Sequence, residues 1–233
     1  MLVLSLVNIL ETAAADQSEK NYSGYVQDPD QLFTERNLAK LEEQHKGVFA
    51  FIAFHPKIDG VITEYLTAGS LGADAGDHVF ALFTLDSPAN TPQSLSTTAF
   101  QDWVKIDSGR YPAYDFVRNL FVDRPAPPLP GIILIEKFTG QAEPVFVSLE
   151  GVKTAAEVRT MCQRVFYIAS ESYLSSKEKP SGQFASNLST RLASQGLVYY
   201  RGEQTSMREW LIAALRLAWS NAGTLVSIVQ LFV

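Results

Sequence analysis

His55, Lys57 and Asp59 fall within five residues of one another, in the turn HPKID that closes the apolar run GVFAFIAF (residues 47–54). A strand that delivers its chain to a helix N-terminus is a common seat for chemistry. An imidazole there, with Lys57 to hold an anion and Asp59 to orient the ring, is material for acid–base work. The competing reading is structural: Asp59 caps a helix beginning near Gly60, Pro56 shapes the turn and His55 is a partly exposed strand end. Cys162 is the chain's single cysteine, so it forms no intramolecular disulfide and builds no thiolate metal site alone. It falls on the apolar face of a helical pattern, where a thiol behaves as a small hydrophobe. His45, His55 and His78 have no neighbour at a familiar ligand spacing, so neither a metal nor a cofactor is expected. The chain contains neither a G-x-S-x-G elbow nor a G-x-x-x-x-G-K loop. AGSLGADAG (68–76) carries acidic Asp74 and no lysine, and reads as a helix stop.

The elements that must position these residues come from a core-forming composition. Of 233 residues, 46% are hydrophobic and 19% charged, which excludes a charge-rich disordered chain. The 19 Lys and Arg against 25 Asp and Glu give a net charge of -6, without a basic cluster, so nucleic acid is not an expected partner.

Leu32, Phe33, Leu38 and Leu41 recur at helical spacing before Gly47. GVFAFIAF then lacks alternation, as in a strand covered on both faces. Val61, Ile62, Tyr65 and Leu66 predict a helix ending near Gly69 or Gly72, and HVFALFTLD a second covered strand. SPANTPQSLSTT is a loop; AFQDWVKI and AYDFVRNLFV read as short helices. Four prolines in DRPAPPLPG lead into a strand from Ile132 to Glu136, which pairs as a hairpin with PVFVSLE. Thr154 and Glu157 form a capping box for a helix lined by Val158, Met161, Cys162, Val165, Phe166 and Ala169, ending before SSKEKPSGQ. Alternation first and a hairpin last predicts an α/β fold with a mixed sheet flanked by helices.

This order resembles the thioredoxin-like superfamily. GVFAFIAF is similar to the central strand that leads into that family's active-site turn. LPGIILIE resembles its proline-then-strand element, in which the proline is cis, and the hairpin with the helix after Thr154 is similar to its closing β-β-α unit. The resemblance covers about half of the chain. It implies a thioredoxin-like core over residues 47–176, with an N-terminal helical segment at 1–46 and a linker and C-terminal extension at 177–233. Where the family carries Cys-x-x-Cys, this chain has His55 to Asp59, so the resemblance implies a redox-inactive member. It also sets a cleft between HPKID and Pro130, in which His55, Lys57, Asp59 and Pro130 are the candidate ligand contacts.

Two further stretches are candidate interfaces. Arg110, Tyr111, Tyr114, Arg118 and Phe121 mix arginine with aromatics, as interfaces do. Trp210, Leu211, Leu215 and Trp219 widen one apolar stripe, after the capping-box pair Ser206 and Glu209, into a helix that completes the core or docks on a partner. The expectation is a non-catalytic scaffold or complex subunit, cytoplasmic or organellar, that binds other protein subunits or itself. Its rivals are a small-ligand-binding protein or enzyme using His55 and Lys57, and a membrane-associated protein anchored by residues 207–233. Arg216, Asn221 and Gln230 interrupt that apolar end and favour a buried element. The opening MLVLSLVNILETAAAD has no Lys or Arg before its apolar stretch, which favours a packed segment over a secretory signal.

Overall fold

The computed structural model describes residues 34–44, 46–55, 58–68, 70–85, 117, 120–121, 125–177, 183–210, 212 and 227–230. The run VFAFIA forms β1 (Val48–Ala53), buried along its whole length. Such a strand needs a neighbour on each side and a layer on each face, and it has both. It pairs in parallel with β2 (Val79–Leu85), Val48 facing Val79, and antiparallel with β3 (Gly131–Ile135), Phe49 facing Ile135 and Ala53 facing Gly131.

From β3 the chain passes through the two-residue β4 (Gln141–Ala142) to β5 (Val145–Ser148), antiparallel to β3 with Gly131 opposite Ser148. Two later strands extend the sheet: β6 (Tyr199–Arg201) on β5 and β8 (Ser227–Gln230) on β2, both antiparallel. The resulting order is β6-β5-β3-β1-β2-β8, a mixed sheet with one parallel pair, while β4 pairs separately with β7 (Thr205–Ser206).

Side chains on a strand alternate between faces, and β1 divides the core accordingly. Val48, Ala50 and Ile52 join α2 (Gly60–Thr67), α3 (Leu71–Ala75), α4 (Ala155–Lys177) and α5 (Phe184–Ser194) in one apolar cluster. Phe49, Phe51 and Ala53 face the other way, against Leu38 of α1 (Glu35–Gln44), Val117, Leu120, Phe121, Met207, Trp210 and Ile212. The molecule is therefore a mixed α/β structure, layered with helices over one sheet face and α1 with Val117, Leu120, Phe121, Met207, Trp210 and Ile212 over the other.

Thr154 caps α4 as expected, its Oγ1 accepting the Glu157 N–H at 3.2 Å. The reciprocal bond is displaced by one residue, because Glu157 accepts from the Lys153 N–H at 2.7 Å. The helix continues through Ser175 and Ser176, whose hydroxyls donate to the Glu171 and Ser172 carbonyls, so the expected stop before SSKEKPSGQ comes too early. AGSLGADAG is likewise more than a stop, since α3 forms within it. The expected extension is built into the same sheet and core: Phe184, Leu188 and Leu192 of α5 pack with Val165 and Phe166 of α4.

Candidate functional site

Because Ala53 pairs with Gly131, the residues beyond them, Phe54–His55 and Leu129–Pro130, meet at one end of the sheet. The Leu129–Pro130 peptide bond is cis. Gly131 must follow without a side chain, since a Cβ there would come within 2.0 Å of the Phe146 ring.

The turn after β1 is closed by its own polar groups. The Ile58 and Asp59 N–H groups donate to the His55 carbonyl at 3.0 and 2.8 Å, and the Ile58 N–H also donates to His55 Nδ1 at 3.1 Å. An imidazole that accepts at Nδ1 carries its neutral-form proton on Nε2. Asp59 Oδ2 accepts the main-chain N–H of His55 at 2.7 Å. Contrary to the expectation from the sequence, the Asp59 carboxylate does not cap α2; its main-chain carbonyl receives the Ile62 and Thr63 N–H groups instead. Burial pushes the Asp59 carboxyl up, against the lowering influence of the His55 N–H and ring. His55 is 8% exposed, whereas Ile58 at the tip of the turn is 74% exposed. This end of the sheet thus presents an apolar side chain beside a closed turn. Lys57 lies outside the described residues.

Cys162 belongs to a different set of contacts. It is fully buried on α4, and burial pushes its thiol up to about 12, assisted by the nearby Asp74 charge and opposed by a hydrogen bond with Tyr65. Only a thiolate attacks a disulfide, so a buried thiol whose ionisation is disfavoured is poorly suited to thiol–disulfide exchange. Asp74, expected only as part of a helix stop, is the hub of the surrounding network. It accepts from Arg159 Nε at 3.0 and 3.1 Å, from Gln163 Nε2 at 2.7 Å and from the Tyr65 hydroxyl at 3.2 Å. Burial alone would raise its carboxyl; the donors, led by Arg159, outweigh it and hold Asp74 below the usual carboxylate range. These bonds tie α2, α3 and α4 together, a structural office.

Phe121 and Trp210, expected at an interface, are 3% and 4% exposed and belong to the chain's own core. Trp210 packs edge-on against Phe51 with ring centroids 5.3 Å apart, and Phe121 against Phe146 at 6.5 Å. Arg110, Tyr111, Tyr114, Arg118, Leu211, Leu215 and Trp219 lie outside the described residues. Among the described residues, no three His, Cys, Asp or Glu gather as a metal site, and no helix is long and apolar enough to cross a membrane.

Compared with family models, with curated proteins and with solved structures, the chain matches none.

Proposed function

We propose that the chain is a redox-silent, thioredoxin-like protein that works as a non-catalytic binding subunit for other polypeptides. Support for the thioredoxin-like part comes from topology. The succession β1-α2-β2-β3-β5-α4, the neighbour order β2-β1-β3-β5 and a cis proline at the head of β3 are the features that the resemblance calls for. The observation that carries the binding role is the contrast at one sheet end. The turn and the cis proline stand where a dithiol would work, yet the chain's single cysteine is buried on α4, and the turn offers exposed Ile58 instead.

The rival reading, a ligand held by His55 and Lys57, draws less support, because His55 Nδ1 and Asp59 Oδ2 are already engaged inside the turn. Apolar surface at a hydrogen-bonded turn is suited to burial against a partner. The test has two arms. Immobilised full-length chain should retain a polypeptide from its native source that Ile58→Asp loses while unfolding at the same temperature as the parent. The chain should also fail to accelerate reduction of a disulfide-bonded substrate by dithiothreitol. Equal retention by Ile58→Asp removes the proposed surface, and turnover of the disulfide removes the redox-silent reading.

A further inference from the structure

At the opposite end of the sheet from the cis proline, where β1 begins and β3 ends, lies a cavity of about 450 Å³. That is within the size range of small-molecule sites. Its charged lining is unequal in state. Glu42 is spent: its carboxylate accepts the Phe138 and Thr139 N–H groups and the Thr139 hydroxyl. Glu143 is spent too, gripped by Arg201 through two bonds of 2.5 and 2.7 Å. Glu136 and Lys137 remain. Both line the cavity and are half-buried, and among the described residues neither forms an ion pair or a side-chain hydrogen bond. They are neighbours in sequence and feel each other's charge, yet they form no ion pair among the described residues.

A half-buried carboxylate at Glu136 and the side chain of Lys137 line one cavity, so a single occupant that carries both charges can meet them together, and matching the partly desolvated carboxylate is the greater gain. The remaining walls include the amides Gln141 and Gln204 and the partly exposed Tyr173, with Phe184 buried behind them. They suit a polar group and a short apolar portion.

We propose that this cavity binds a small zwitterion, a free α-amino acid or short peptide, with its ammonium on Glu136 and its carboxylate on Lys137. The cavity accommodates an amino acid with a long side chain or a dipeptide. The electrostatics of Glu136 agree with an unmet need: burial raises its carboxyl and Glu42 raises it further, while Lys137 only partly opposes them. A ligand ammonium would reverse that balance. The site stands apart from the cis-proline end and does not rest on the binding role proposed for it.

Titration calorimetry on the full chain tests this, with the common α-amino acids and alanine- or glutamine-containing dipeptides as probes, in about 0.15 M salt to screen diffuse attraction to an acidic protein. At least one probe should bind saturably with one site per chain. Glu136→Gln and Lys137→Met should each weaken it about tenfold or more, in keeping with loss of a charge-assisted contact. Neither variant gives up a hydrogen bond among the described residues, so both should unfold at the parental temperature, while Glu150→Gln, remote from the cavity, should bind as the parent does. The N-acetylated and decarboxylated forms of the successful probe should bind more weakly than the zwitterion. The proposal is overturned if no probe binds at millimolar concentration, or if the two cavity variants bind as tightly as Glu150→Gln. Equal binding of the N-acetylated form overturns the ammonium assignment.

Discussion

Asp74 shows how much one carboxylate can organise when its side chain is 2% exposed and its chief partner, Arg159, is 51% exposed. Its folded-state proton affinity is depressed. The stabilisation it contributes is therefore fully present above the ordinary aspartate value, near pH 4, and is lost as pH falls through the lower folded value. Asp59 has the opposite sign, because burial raises it and protonation favours the folded state. Asp74→Asn should cost on the order of 1–2 kcal/mol at neutral pH, discounted for the exposed guanidinium, and should flatten the acid side of a denaturant-derived stability profile. A profile as steep as the parent's would assign the acid loss to other groups. Cys162 gives a second residue-scale prediction: native protein should not react with an aromatic disulfide reagent at pH 8, and reactivity should appear only with unfolding. A turn after β1 and the burial of Cys162 on the apolar face of α4 were both legible in the sequence. Asp74 was not, because its donors Arg159 and Gln163 stand 85 and 89 residues away.

Elements that signal themselves locally were read well. β1, β2, β3 and β5 follow from apolar runs bounded by turn residues, and α4 from its capping pair. Replacing Thr154 with Ala should cost about 1 kcal/mol in chemical denaturation, the ordinary value of a lost N-cap. Gly131→Ala should cost roughly 1–3 kcal/mol, since β3 or the Phe146 ring must move to admit the methyl. A loss within a few tenths of a kcal/mol would mean that the ring turns aside freely. α5 was missed although Phe184, Leu188 and Leu192 recur at four-residue spacing. The Pro, Gly and Ser before it read as a linker, and its apolar stripe is only one residue wide. β6 is shorter still, three residues whose strand character comes from pairing with β5. Asp59 was misjudged as a side-chain cap because position alone cannot tell which nearby N–H a carboxylate will take.

At the scale of the whole molecule, the α/β class and the mixed sheet were legible from element order, and the layering beyond residue 177 was not. A chain ending at Lys177 removes Phe184, Leu188 and Leu192 from the cluster that buries Val165 and Phe166, and strips β6 from β5. Calorimetry should find no cooperative transition for that truncation; a parental transition would mean that α5 and β6 are dispensable. The grip of Glu42 on Phe138 and Thr139 bridges sequence separations of 96 and 97 residues, joining α1 to the loop after β3. On a ribosome, which releases the chain from its amino end, α1 emerges long before its anchor has been translated. Its Leu38 can meet Phe49 and Phe51 of β1 soon after, but the Glu42 carboxylate gains Phe138 and Thr139 only once residue 139 is out, so the anchoring of α1 is a late step in the chain's emergence.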